Sequence, residues 1–347
     1  MSSKYSGPEG PGRLRTPVSA LAQWFFTRTL EKPGRSVLRR LRYSFARSGW
    51  RALLNCCDPL VRYQLEGMEL WIPLSHRLPH SRRACPQCVS NLGRIAAQVS
   101  AHRPDFTLVD VGANVGDSVA ILRSRAHFPI LCVEGEPRFF SILQLNMAGQ
   151  EDIELENTLV GRATETLPGR VESKRGTARV IGDPGGRQTL HFKTLADILH
   201  DHPRFSRPGM IKLDTDGMDS LIVRSALPLL AELKPVLFFE YDPYFMGLQG
   251  EEGLPLFEDL RRAGYGSALV YENNGDYLLA LDLADRALLE DLDAFYRGRS
   301  GERYCDICVF PEHDSELCGK VRSSELEFFR QLRGSQGGDN RALVRRQ

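Results

Sequence analysis

One stretch constrains this chain more than any other: Val109-Asp110-Val111-Gly112-Ala113-Asn114-Val115-Gly116-Asp117-Ser118, where an apolar, β-branched run meets two glycines and then a helical rhythm. Such a run reads as a strand turning sharply into a helix. Glycine lets the backbone make that turn and approach a ligand closely, and the helix N-terminus offers free amide hydrogens. The same alternation recurs downstream. Apolar strands are expected at 106–111, 130–134, 153–159, 210–214, 236–240, 266–271, 277–281 and 304–310. Helices are expected from about Val115 and over 137–147, 219–233, 253–263 and 284–296. Strand–helix alternation of this kind predicts an α/β fold with a Rossmann-like, mainly parallel sheet, helices on both faces and an antiparallel edge. The ligand site then lies at the carboxyl ends of the strands.

Two nucleotide-type ligands suit such a turn. A dinucleotide fingerprint wants glycine where Asn114 and Asp117 stand. A side chain at the first crowds a pyrophosphate and a carboxylate at the second repels it. S-adenosylmethionine carries no phosphate, and its amino and carboxylate ends can be met by backbone amides and polar groups around the loop. An acid ending the next strand can accept hydrogen bonds from both ribose hydroxyls, and Glu134 stands 22 residues after Gly112. The reading favours S-adenosylmethionine over NAD.

A second cluster, Lys212-Leu213-Asp214-Thr215-Asp216-Gly217-Met218-Asp219, follows another strand. On a parallel sheet its end faces the same crevice, which puts Asp214 and Asp216 near the transferable methyl as candidate bases, and Lys212 beside the acceptor. Glu240, closing the apolar strand from Pro235, is a further candidate. The carboxylates lack the other ligands of a calcium loop, so no metal is expected. The pairs Cys85/Cys88 and Cys305/Cys308 suggest a zinc site, but the second lies in a strand, where residues three apart point to opposite faces. His191, His200 and His202 read as surface residues.

Composition limits the rest. A chain of 347 residues, 42% hydrophobic and 26% charged, has room for one large domain plus extensions. Residues 1–60 hold 11 Lys or Arg against Glu9, Glu31 and Asp58, a net of +8 that leaves −7 for the other 287. A core so charged repels a phosphate backbone, which argues against nucleic acid as substrate. Residues 17–57 interleave apolar residues with arginine in a helical rhythm; they either pack on the body of the protein or rest as a peripheral contact on an anionic membrane surface. No secretory signal is read at the N-terminus, and eight irregularly spaced cysteines fit reduced thiols, so the cytoplasm, with the inner membrane face as an option, is the expected compartment.

The turn at 112–117, Glu134 with Leu145-Asn146 downstream, Thr194-Leu195-Ala196-Asp197, the segment 212–217 and the segment 235–240 occur in the order seen in the FkbM methyltransferases, and the chain resembles that family from about residue 61 to 330. The segment after Lys212 reads Leu-Asp-Thr-Asp-Gly-Met-Asp, where many relatives have a glutamate-containing Val-Glu-Gly or an acidic residue after Gly-Ala or Gly-Phe. The resemblance implies a class I methyltransferase core and methyl transfer to a hydroxyl of a sugar, glycan or similar natural product. It implies cofactor binding by Asp110, Gly112, Asn114, Gly116 and Glu134, with Lys212, Asp214 and Glu240 facing the acceptor. The basic extension 1–60 and a disordered tail at 331–347 fall outside it. A methyltransferase fold kept as a non-catalytic scaffold of a glycan-assembly complex is the alternative; the acceptor and the oligomeric state are not readable.

Overall fold

The computed structural model describes residues 17–31, 36–87, 89–174, 177–182, 188–215, 217–297 and 303–344. Two helices come first, α1 (Pro17–Leu30) and α2 (Val37–Cys56), the second capped by the Ser36 hydroxyl accepting from the Arg39 N–H. An antiparallel hairpin of β1 (Leu60–Leu65) and β2 (Met68–Pro73) follows, turning at Glu66-Gly67 as the alternation of Val61 to Ile72 predicts.

The main sheet opens with β3 (Leu108–Val111), β4 (Ile130–Val133) and β5 (Ile153–Glu156). The chain then builds a separate small sheet from β6 (Leu159–Val160), β7 (Glu165–Lys174), β8 (Thr177–Gly182) and β9 (Thr189–Lys193). It returns with β10 (Met210–Leu213), β11 (Val236–Tyr241), β12 (Tyr265–Glu272), β13 (Tyr277–Asp282) and β14 (Cys305–Pro311). The eight main strands lie in the order β13-β12-β14-β11-β10-β3-β4-β5. From β5 to β11 all neighbours are parallel, and β14, β12 and β13 add antiparallel pairs at one edge. This is the mainly parallel α/β architecture with an antiparallel edge.

Every residue of β3, β4 and β10 is buried, as expected of short strands covered on both faces. Side chains alternate between two cores: Val236 and Phe238 of β11 join one, Leu237 and Phe239 the other. Cys305 and Cys308 are both buried but belong to opposite cores, so they do not converge on one ion. Cys88 lies outside the described residues, and among these no cluster of His, Cys, Asp or Glu is arranged to hold a metal.

Three expectations change in detail. The helix expected over 219–233 is two, Asp219–Ser225 and Leu227–Leu233, because Pro228 has no N–H to offer the carbonyl one turn back. The strand expected over 153–159 stops at Glu156, and Leu159-Val160 pairs with β9 instead. The polar stretch 162–188 holds the β7–β8 hairpin. At the other end, a helix over Ser315–Val344 runs on past residue 331.

That last helix is held by a buried ion pair. The Arg94 guanidinium donates through Nε and Nη2 to both oxygens of Glu325 (2.6 and 2.7 Å), and its Cζ lies over the Phe328 ring, 3.9 Å from the centroid. Glu325 is fully buried. Removing one partner of such a pair strands the other charge out of water. Glu325→Ala is therefore expected to lower the unfolding free energy by about 3 kcal/mol in urea titration, and Glu325→Leu combined with Arg94→Met to cost clearly less.

Candidate functional site

The turn after β3 is laid against the end of β4: the N–H groups of Gly112 and Ala113 both donate to the Val133 carbonyl (2.9 and 3.1 Å). Gly112 has φ +78°, and a Cβ there would stand 1.9 Å from the Asp214 carbonyl oxygen on β10's end. No side chain is tolerated at that approach. Gly116, at φ +89°, starts the helix Asp117–Arg123 against Met147. Asn146 fastens the turn from behind. Its amide donates to the carbonyls of Trp71 (2.9 Å) and Val115 (2.7 Å) and accepts from the Trp71 N–H (2.7 Å), tying the turn to the β1–β2 hairpin.

Glu134, at the end of β4, points back under the same turn. Its Oε2 accepts from the Asn114 N–H (2.8 Å) and its Oε1 from the Glu136 N–H (2.7 Å). Burial pushes its pKa up to about 7 against those two donors. Each carboxylate oxygen keeps acceptor capacity after one such bond. His76, from the segment after β2, reaches the turn from outside. Its Nδ1 accepts from the Leu78 N–H (3.2 Å), which leaves the proton on Nε2 to donate to Asn114 Oδ1 (3.4 Å). Burial lowers the His76 pKa, so the ring stays neutral at pH 7.

Beneath the turn lies a buried charge pair. Asp110 and Lys212 are register partners on β3 and β10, with Nζ 2.9 Å from Oδ1. Asp110 Oδ2 accepts from the Ser118 hydroxyl, and Lys212 Nζ donates to the Gly112 carbonyl (3.1 Å). Burial opposes the lysine's charge, but the Asp110 and Asp214 carboxylates outweigh it and hold Lys212 above the ordinary lysine range. Neither Asp110 nor Lys212 lines the cleft. They support the turn from below, because their charges satisfy each other within the sheet.

The cleft itself is bounded by Gly112, Asn114, Glu134, Glu136, Asp214 and Thr215, with Val171 and Val180 of the β7–β8 hairpin as one wall. Its described lining carries three carboxylates and no basic side chain. Beyond it lies an acidic edge. Asp214 is half exposed with Oδ2 3.5 Å from Lys212 Nζ. Asp219 is buried; its Oδ2 accepts from the Thr215 hydroxyl (3.0 Å), Oδ1 has no hydrogen-bond partner among the described residues, and burial pushes its pKa up to about 7. Asp306 of β14 faces Glu240 of β11 in register, and burial, then the nearby Asp214, push its pKa up to about 8. Asp216 lies outside the described residues.

Asp306 and His76 escaped the sequence reading. Asp306 stood inside a Cys-x-x-Cys pair, and its only signal was a carboxylate opening an otherwise apolar strand. His76 carried none. At Gly112 the geometry predicts a large effect from one methyl group: Gly112→Ala should destabilise the fold by roughly 2–4 kcal/mol in denaturant titration, through the forced clash with Asp214.

Residues 110–266 match the family described as the Methyltransferase FkbM domain. Among solved structures the chain is similar to the methyltransferase FkbM of Methylobacillus flagellatus, at 17% identity over 59% of this chain and 44% of that one, TM-score 0.36. It is also similar to a putative transferase of Pyrococcus horikoshii (10%, 78% and 83%, TM-score 0.37) and to an O-methyltransferase of Bacillus cereus in complex with SAH (10%, 64% and 80%, TM-score 0.34). The chain thus spans less than half the length of the Methylobacillus protein. No curated protein sequence matches it. Residues 110–266 of this chain are thus an FkbM methyltransferase domain, set in a mainly parallel α/β sheet flanked by helices.

Proposed function

We propose that the protein transfers a methyl group from S-adenosylmethionine to a hydroxyl of a sugar, glycan or similar natural product. The observation that carries the cofactor half is the charge of the cleft. Three carboxylates and no basic side chain among its described lining residues suit a cationic ligand and disfavour a pyrophosphate. The residues present fit the group: Glu134 has acceptor capacity for ribose hydroxyls, and the glycine cradle at 112 leaves backbone open to the ligand. When bound, S-adenosylmethionine supplies an electrophilic methyl on a sulfonium centre.

For the acceptor half, the acidic edge supports oxygen chemistry. A hydroxyl is a poor nucleophile until a neighbouring base shares its proton, and a carboxylate within reach is enough. Asp214 is the half-exposed member at the cleft, held beside Lys212, and takes the proton in this reading, with Asp216, two residues on in the chain, as the other candidate. Asp219 and Asp306, with pKa values of about 7 and 8, can pass a proton on near neutrality. Glu240 lies against Asp306 and acts through it.

Two outcomes test the halves separately. Ionised Glu134 holds the ribose and the cationic ligand better than the protonated acid, so affinity rises as pH passes upward through about 7. Calorimetric titration is expected to give roughly tenfold tighter S-adenosylmethionine binding at pH 8 than at pH 6, and Glu134→Gln to lose most of that slope along with affinity. NAD at equal concentration should give no heat; tight NAD binding would sink the assignment. For the acceptor, labelled methyl transfer to a panel of saccharides, with amines and thiols as controls, should place the label on sugar oxygen. Asp214→Asn should then lower kcat about 100-fold or more, far beyond its effect on the cofactor Kd. A product methylated on nitrogen or sulfur, or full turnover by both Asp214→Asn and Asp216→Asn, would remove the hydroxyl reading.

A further inference from the structure

Helix α2 has two apolar faces where a surface helix needs one. Ala46, Trp50, Leu53 and Leu54 turn inward, Ala46 fully buried and the others packed against the core. Val37, Leu38, Leu41 and Phe45 turn outward, 74%, 60%, 62% and 65% exposed. Their spacing keeps them on one side of the helix. Trp24 of α1, 40% exposed, extends this surface, its ring edge-on to Phe45 at 6.3 Å between centroids. Nothing among the described residues covers it.

Charge says what does. Residues 37–57 contain no acid and five arginines, Arg39, Arg40, Arg42, Arg47 and Arg51, all exposed and none in an ion pair among the described residues. Counting 100° per residue, Arg40, Arg47 and Arg51 border the outward stripe along one side and Arg42 along the other. An apolar stripe with flanking cations and a neighbouring tryptophan matches the headgroup–acyl boundary of an anionic bilayer: acyl chains take the stripe and lipid phosphates meet the guanidinium groups. A nucleic acid would leave the stripe wet, and a second copy of this stripe would bring arginine to arginine. No described helix is long and apolar enough to cross a membrane, so the contact is in-plane.

We propose that α2, with Trp24 of α1, is a docking surface that seats the protein on anionic lipid, lying flat with Val37, Leu38, Leu41 and Phe45 inserted among the acyl chains. The proposal is independent of the methyl-transfer reading, since it uses no residue of the cleft.

The test uses the full chain and vesicles of phosphatidylcholine, alone or mixed with phosphatidylglycerol. The wild type is expected to float with the mixed vesicles roughly tenfold more than with phosphatidylcholine alone, and less as salt rises. Leu41→Asp with Phe45→Asp, and separately Arg40→Glu with Arg47→Glu, should each reduce flotation about tenfold. All four positions are exposed, so melting curves close to wild type will show that the fold is retained. Brominated lipid should quench the wild-type fluorescence and quench Trp24→Phe distinctly less. Absence of wild-type flotation, equal flotation by Leu41→Asp/Phe45→Asp, or a wild-type dimer that this double variant converts to monomer would each overturn the assignment.

Discussion

The site depends on the ion pair between Lys212 and Asp110. These residues sit opposite each other on adjacent parallel strands at the middle of the sheet, where water cannot reach them. Two charges in such a place contribute little net stability, because desolvation offsets most of their attraction. What they fix is register. A one-residue slip of β10 against β3 would turn Lys212 to the other core and leave Asp110 charged and alone. The same ammonium holds the Gly112 carbonyl and sits near Asp214, so the register of two strands also sets the distance between the cofactor turn and the acidic edge.

The turn is then clamped from three directions. Glu134 takes the Asn114 N–H from within the sheet, Asn146 takes the Val115 carbonyl from the helix behind, and neutral His76 donates to the Asn114 side chain from outside. Asn114 keeps φ +50°, a conformation that costs an ordinary side chain about 1 kcal/mol and persists because these contacts over-determine it. The β1–β2 hairpin is part of the clamp, since Asn146 bonds both backbone groups of Trp71. Gln23 of α1 in turn bonds both backbone groups of Arg62 (3.0 and 2.7 Å). The basic N-terminal helices are therefore continuous with the cofactor turn by way of one hairpin.

The parts of this arrangement that the sequence disclosed are the local ones. A strand, a glycine turn and an acid at the end of the next strand lie within the 27 residues from Leu108 to Glu134, and each has a backbone requirement that only certain residues meet, as Gly112 does. Asp214 and Glu240 were visible because a charge ending an apolar strand is costly unless a site uses it. Asp306 belongs to the same edge but comes from an antiparallel strand some 90 residues later; its partnership with Glu240 exists only once β14 inserts beside β11. His76 precedes the sheet altogether. Periodicity likewise gave no warning of the β7–β8 hairpin, where polar residues dominate because the small sheet has little core to face, yet Val171 and Val180 bring it to the cleft. The resemblance assigns Asp110 to the cofactor and Lys212 to the acceptor; in the fold both are buried and paired with each other beneath the turn, a partnership between strands about 100 residues apart that the sequence does not display.

Charge is segregated along the chain in the way these positions require. The cleft and the acidic edge beyond it hold carboxylates, Glu134, Asp219 and Asp306, whose pKa values are driven toward neutrality by burial, an arrangement that becomes more favourable when a cation enters and restores their ionised forms. The arginines are kept away from it, on the outer surface of α2, where their field can attract an anionic surface without competing for the cleft's carboxylates. Between the two fields lies the β1–β2 hairpin, hydrogen-bonded to Asn146 on one side and to Gln23 of α1 on the other. On the proposed lipid docking, an acceptor held at the same surface would approach the cleft in a restricted orientation, and orientation together with proximity decides whether a hydroxyl lines up with the methyl it is to receive.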